Sequence, residues 1–167
     1  MAFPTYPLTF PTTVGVTRSN FNLARVVGMS QSPFTGQQQV FEHSFALWQS
    51  TITLPPMKRA TASEYKTFFM QLHGMRGTFT MGDPDAKTQR GNATQSSLTI
   101  ASNTAVGAYD IPVSGLTNSQ TSALVKGDYI QFGTGSSAKL HMIVENVDAS
   151  ATGTATIQIE PALKVAI

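Results

Sequence analysis

The run Thr61-Ala62-Ser63-Glu64-Tyr65-Lys66-Thr67-Phe68-Phe69-Met70-Gln71-Leu72-His73-Gly74 decides how the rest of the chain is read. It lies between Leu54-Pro55-Pro56-Met57 and Gly77-Thr78-Phe79-Thr80-Met81-Gly82-Asp83-Pro84. Tyr65, Phe68, Phe69 and Leu72 fall at i, i+3, i+4 and i+7, which is one apolar stripe on a helix. Thr61 and Glu64 have the spacing of a capping box, in which hydroxyl and carboxylate each satisfy a free amide of the first turn. Gly74 stands where a left-handed C-terminal residue is wanted. Pro55-Pro56 cannot donate to a ladder, so the chain leaves any sheet there. The expected helix spans about 61–73. Its aromatic stripe calls for an apolar sheet face to cover it, in preference to a partner's groove.

Outward from the helix the pattern is β. Upstream, Phe21 and Leu23 begin one segment. After the turn cluster Ser32-Pro33-Phe34-Thr35-Gly36, the stretch Gln37–Leu54 reads as the longest strand, with Phe41, His43, Phe45 and Leu47 alternating on one face. Phe79 and Met81 mark a short strand beyond the helix. Gly82 to Gly91 is a polar loop dense in turn formers. From Ser96 strand follows strand: Leu98 and Ile100; Tyr109, Ile111 and Val113; Lys126 to Phe132; Leu140, Met142 and Val144; Ala155, Ile157 and Ile159. The fold class is mostly β, a β-sandwich or β-barrel core with one flanking helix, followed by a small β meander or barrel. The organisation is residues 1–90 as the core with its helix and 91–167 as the C-terminal meander, which could complete the same domain. Core candidates are Trp48, Tyr65, Phe68, Phe69, Leu72 and Phe79. The stretch 92–125, poor in charge and rich in Ser, Thr and Asn, is expected to pack loosely in an isolated chain.

Composition narrows the function classes. The 167 residues suffice to bury a real core. Cysteine is absent, which removes disulfides, thiolate metal sites and thiol nucleophiles. No apolar run reaches the roughly 20 residues of a membrane-spanning helix. The start, Met-Ala-Phe-Pro-Thr-Tyr-Pro, lacks a basic region followed by an apolar one, so no secretory signal is expected. Only 12% of residues are charged, about half the usual share, and the net charge is +2. A surface of Thr, Ser, Gln and Asn can be covered by neighbours with little desolvation cost. Lys58, Arg59, Lys66, Arg76, Lys87 and Arg90 hold six of the eleven basic charges. They read as a solvated face more readily than as a lining for DNA.

Enzymatic motifs are missing. His43, His73 and His141 stand far apart and outside metal-ligand spacing. Asp83 and Asp85 flank a proline without the further oxygens of a calcium loop, which favours a turn. Gly133-Thr134-Gly135 lacks the phosphate-loop pattern, and no Gly-x-Ser-x-Gly elbow occurs. The expectation is a non-enzyme with no cofactor, no metal and no catalytic residue.

The order of several segments carries a resemblance. Ser32-Pro33-Phe34-Thr35-Gly36-Gln37-Gln38, Trp48, Leu54-Pro55-Pro56-Met57, the helix and Gly77–Pro84 together resemble a family of tailed-bacteriophage structural proteins. Lys126-Gly127-Asp128-Tyr129-Ile130, Leu140-His141-Met142, Gly153-Thr154-Ala155-Thr156-Ile157 and Glu160-Pro161-Ala162-Leu163 are similar to the same family. The likeness touches most of the chain. It rests on the order and spacing of the segments, since no single one is diagnostic. The family resembled is that of minor tail proteins of long non-contractile tails, nearest to the distal-tail, or tail-tip, ring proteins.

That resemblance implies a virion protein, assembled in the host cytoplasm, forming a homo-oligomeric ring, a hexamer. The ring would join the tail tube to the tip hub and leave a bore for the tape-measure protein and then DNA. A ring needs a heterologous interface, in which one face fits a different face of the next copy. The N-terminal arm with Phe3 and Tyr6, and the loop with Asp83, Asp85 and Arg90, are the candidates to reach neighbours. Two alternatives stay open: a tail-tube or tail-completion protein, and a receptor- or carbohydrate-binding tail-tip module. The second wants aromatics grouped on loops, whereas Trp48 falls within a strand and reads as a core anchor.

Overall fold

The computed structural model describes residues 4–95 and 98–167; Phe3 lies outside them. Among these residues are nine strands and one α-helix, the β-rich plan with a single helix that the sequence predicts. In order they are β1 (Leu8–Thr9), β2 (Arg18–Gln31), β3 (Gln38–Thr53), α1 (Arg59–Gln71), β4 (Phe79–Thr80), β5 (Thr99–Ile100), β6 (Asp110–Ser114), β7 (Tyr129–Phe132), β8 (Lys139–Ile143) and β9 (Thr154–Glu160). By contacts the chain divides into two compact units, residues 1–22 with 48–87 and residues 23–47 with 88–167.

The first unit is organised by α1. Phe10, Tyr65, Phe68 and Leu72 are buried together, with Tyr6, Leu8, Ile52, Leu54 and Met57 packed around them. Phe10 meets Tyr65 and Phe68 edge-on, at ring separations of 5.9 and 5.6 Å, a geometry that adds about 0.5–1.5 kcal/mol per pair to area burial. The Tyr65 hydroxyl donates to the Pro11 carbonyl and accepts from the Val14 amide, and β1 pairs in parallel with β4. The helix therefore gathers the N-terminal segment, not a broad sheet face.

Three expectations about α1 change. The helix begins at Arg59, with Lys58 in extended backbone as the cap residue and no side-chain capping bond. Thr61 and Glu64 thus lie inside the helix, and the capping box is not made; Glu64 accepts from the Thr13 hydroxyl instead. The helix ends at Gln71, where His73 and Gly74 both take left-handed backbone (φ 49° and 69°). Of the aromatic stripe, Tyr65, Phe68 and Leu72 are buried, but Phe69 is more than half exposed, and Phe79 beyond the helix is exposed to a lesser degree. Phe10, from the N-terminal segment, occupies the core position expected of Phe69. Trp48 is half-buried and stacks on Phe21, with ring centroids 5.1 Å apart.

The second unit is built on an antiparallel five-stranded sheet in the order β5-β6-β9-β8-β7. Strand β9 pairs with β6 along Thr154–Gln158 and with β8 only at Ile159 and Glu160, so the sheet curls along that strand. Alternation puts Ile111, Val113, Ile143, Ile157 and Ile159 inside, each fully buried or nearly so. Burial of each such side chain contributes about 1.5–3 kcal/mol. The stretch 92–125 does not pack loosely: Ala93, Leu116, Ala123 and Leu124 join the same core. Its amides and hydroxyls bond to one another and to backbone, as Asn92 does to the Thr121 carbonyl and Gln95 to Thr117.

The segment Lys126-Gly127-Asp128 forms a turn with a clear structural reason. Gly127 takes φ 93°, a backbone that side chains other than glycine's resist. The turn carries the buried Asp128 carboxylate inward, where it accepts three backbone N–H groups, from Arg90, Gly91 and Val125.

Candidate functional site

β2 and β3 form a long hairpin of 14 and 16 residues closed by a short turn. The Ser32 amide donates to the Gln37 carbonyl and the Gly36 amide to the Ser32 carbonyl, at 2.9 and 3.0 Å. The turn formers of Ser32–Gly36 account for this local geometry. Among the described residues no third strand pairs with the hairpin. A two-stranded sheet alone in water is at best marginal.

The hairpin's side chains sharpen the point. A Cβ built at Gly28 would lie 3.9 Å from that of Phe41, so the two share a face, and alternation adds Val26, Phe45 and Leu47. All four large side chains of that face are about half exposed. The opposite face shows Val27, Met29 and Val40 to solvent. From Val26 to Phe41 there is no Asp, Glu, Lys, Arg or His. Natural edge strands are normally guarded by charge, proline or a covering element, and this one is not. The signal was available in the sequence as an uncharged run through a strand-turn-strand pattern.

Residues 23–47 of the hairpin are anchored to the second unit, of which they are part. The Arg25 guanidinium bonds the Glu42 carboxylate at 2.6 Å and also reaches Glu160. Partial desolvation lowers its pKa, but the two carboxylates outweigh this and hold it above the usual guanidinium value. The Lys164 ammonium donates to the Ala46 carbonyl.

Near the end of α1 and just beyond it, Phe69, Met70, Met75 and Phe79 are exposed, Met75 completely. Phe69 and Phe79 each rest against the buried Phe68, at ring separations of 5.4 and 5.5 Å.

The residues proposed from sequence for neighbour contacts are engaged inside the chain. Tyr6 donates its hydroxyl to the Gln71 carbonyl at 2.7 Å and packs on the α1 core. Asp83 accepts from the Asp85 amide, closing a local turn. Arg90 is held through its own amide by Asp128, and its guanidinium meets the Lys126 carbonyl at 3.4 Å. Tyr6 is thus tied down, whereas the Asp85 and Arg90 side chains stay exposed. Lys58, Arg59, Lys66, Arg76, Lys87 and Arg90 are all exposed.

The remaining chemistry is sparse. His43 is exposed on the hairpin, and His141 is buried in β8. His141 donates from Nδ1 to the Pro161 carbonyl at 2.6 Å, while Nε2 is buried without a partner. Burial, reinforced by the charge of Lys164 and opposed by the Pro161 bond, lowers its pKa below the ordinary imidazole value. An open depression of about 460 Å³ runs beside β6 and β9, lined by small and hydroxyl side chains such as Ala101, Pro112, Ser150 and Thr154. Asp148 at its rim accepts from the Ser122 amide. Among the described residues no three His, Asp or Glu side chains converge as metal ligands. No helix there is long and apolar enough to cross a membrane.

No protein-family model matches this chain, and no curated protein does.

Proposed function

We propose that this protein is a structural subunit of a bacteriophage tail, forming a homo-oligomeric ring at the distal tail or tail tip. The ring joins the tail tube to the tip hub and leaves a channel for the tape-measure protein and DNA. The observation that carries this reading is the β2–β3 hairpin, a long two-stranded sheet with no third strand among the described residues, exposed apolar faces and no charge from Val26 to Phe41. Such an element is a liability in a solitary domain and an asset in a subunit whose neighbours cover it. The resemblance to tail-tip ring proteins read from the order of the sequence segments supplies the biological setting. The heterologous contact of a ring requires two unlike surfaces, of which the hairpin is one candidate.

Light scattering on the purified protein, with negative-stain images of the same sample, tests the reading. A closed ring of defined mass is expected. Long tubes assign the protein to the tail-tube class, and a strict monomer at high concentration removes the self-assembling ring. The carbohydrate-binding alternative gains little from Trp48, whose ring stacks on Phe21 within the hairpin's base.

A further inference from the structure

Three contacts converge on one short stretch of the second unit. Glu160, the last residue of β9, takes the Arg25 guanidinium of β2. The Pro161 carbonyl accepts from His141 Nδ1 at 2.6 Å. Lys164 donates its ammonium to the Ala46 carbonyl of β3. Each hairpin strand is thus held by a near neighbour of Pro161, and Pro161 is held by a histidine only 1% exposed.

The imidazole has no room for a second proton. Nδ1 already donates to Pro161, and Nε2 is buried without a partner. Protonation places an N–H and a positive charge where no acceptor stands, which is costly in an apolar surrounding. Phe132 of β7 faces the ring at 5.3 Å. Asp128, just ahead of β7, has its carboxylate taken up by three amides. The register pairs Tyr129 and Glu160 with Met142, which puts both, and the Arg25 bound to Glu160, on the other face of the sheet. From the hairpin, Glu42 is bound to Arg25 and His43 is exposed. Lys139 shares the His141 face of β8 by alternation, and Lys164 is the charge that bears on the ring. Both are of like sign to an imidazolium, so neither relieves it.

We infer that His141 is an acid-sensitive latch, whose protonation loosens the 160–167 segment and frees the hairpin from Glu160 and Lys164. Water reaches Nε2 when the Pro161 end of that segment lifts, and the buried charge is then solvated. Past Glu160 the segment is tied down by Leu163 in the core and by four backbone bonds, Leu163 with Gly107 and Ala108 and Ile167 with Thr104. So few ties can open without the sheet. The latch holds whether or not the chain assembles.

Hydrogen exchange read by peptide mass on the full chain tests it, at about pH 7.5 and about pH 5 with labelling times scaled for intrinsic rates. An opening that exposes His141 gains up to about tenfold per pH unit below about 6.5. Peptides 159–167, 23–31 and 38–47 are therefore expected to lose at least tenfold in protection at the lower pH. Peptide 110–114 of β6 is expected to stay at least tenfold better protected than these. His141→Gln keeps a donor for Pro161 without titrating, and should abolish the acid response. Lys164→Ala should free peptide 38–47 at pH 7.5 already, which checks the clamp even where the glutamine variant does not fold. Hairpin peptides that ignore acid, or an acid response unchanged in His141→Gln, overturn the latch. Equal protection in all four peptides marks global unfolding alone and overturns it too.

Discussion

Replacing Asp128 tests whether the second unit is held by polar anchoring as well as by its isoleucine core. The carboxylate is buried and accepts from the amides of Arg90 at 2.7 Å, Gly91 at 3.0 Å and Val125 at 3.0 Å. Asp128→Ala leaves three part-buried donors without an acceptor. Hydrogen bonds to a charged group are worth about 1.5–3 kcal/mol each, and water entering the space left behind recovers part of that, so a loss of about 3–5 kcal/mol is expected. That is a large fraction of the 5–15 kcal/mol typical of a folded domain. Asp128→Asn keeps one carbonyl oxygen in place and is expected to cost about 1–2 kcal/mol. With an m-value of about 2 kcal/mol/M, the midpoint of urea unfolding followed by far-UV circular dichroism falls by about 1.5–2.5 M for the alanine variant. Hydrogen exchange locates the effect: the amides of Arg90, Gly91 and Val125 exchange faster while that of Ile157 follows global stability alone. An alanine variant within about 0.5 M of the parent refutes the reasoning. So does an asparagine variant as unstable as the alanine one.

Three further outcomes follow from individual side chains. His141 is held neutral by burial, its folded pKa lying below the unfolded value near 6.5. The unfolded chain therefore binds the proton first, and stability falls as pH drops below about 6.5, by at most about 1.4 kcal/mol per pH unit; His141→Gln should flatten that part of a urea-midpoint profile. Phe68→Ala should cost about 3–5 kcal/mol because the ring is buried among Phe10, Phe69 and Phe79. Phe69→Ala, at an exposed position, should cost less than about 1 kcal/mol, and equal losses in thermal melts would contradict the observed packing. Thr61→Ala should be neutral or stabilise by up to about 0.5 kcal/mol, since Thr61 lies inside α1 where alanine is the better helix former; a loss of about 1 kcal/mol would restore the capping role.

The β-rich class and its one helix were legible because both rest on local periodicity. Alternation in Tyr109–Val113 and Ala155–Ile159 marked strands whose alternate residues are now core, and the 3.6-residue stripe found Tyr65, Phe68 and Leu72. Placement inside α1 failed where the decision was tertiary. Phe69 and Phe10 are equally apolar, and only the pairing of β1 with β4 brings Phe10 to the helix. The capping box failed for a local reason. Extended backbone at Lys58 let the helix start at Arg59, two residues before the hydroxyl that looked like its cap. The neighbour-contact residues were read from exposure expected of termini and loops. Tyr6 and Arg90 are spent on hydrogen bonds to residues distant in sequence, Gln71 and Asp128, which no short window reveals.

The same low charge that made the chain look like an assembly module points to different residues once the structure is known. Two of the segments that carry the resemblance, Lys126-Gly127-Asp128 and the turn ending at Gly153, hold the second unit together through their left-handed glycines and the Asp128 carboxylate. Their sequence is constrained by folding, so they report fold and say little about contacts. The hairpin carries the opposite signature. No backbone requirement explains an exposed Phe34, an exposed Phe45 or the lack of any charge between Val26 and Phe41. For a solitary domain those features cost solubility, and a single lysine on the hairpin would relieve it. Val40→Lys therefore separates the two accounts. If the hairpin is only a surface loop, the variant folds equally well and gains solubility at no loss. If neighbours cover the hairpin, it folds equally well, stays soluble and fails to assemble, because the new charge must then be buried without a partner.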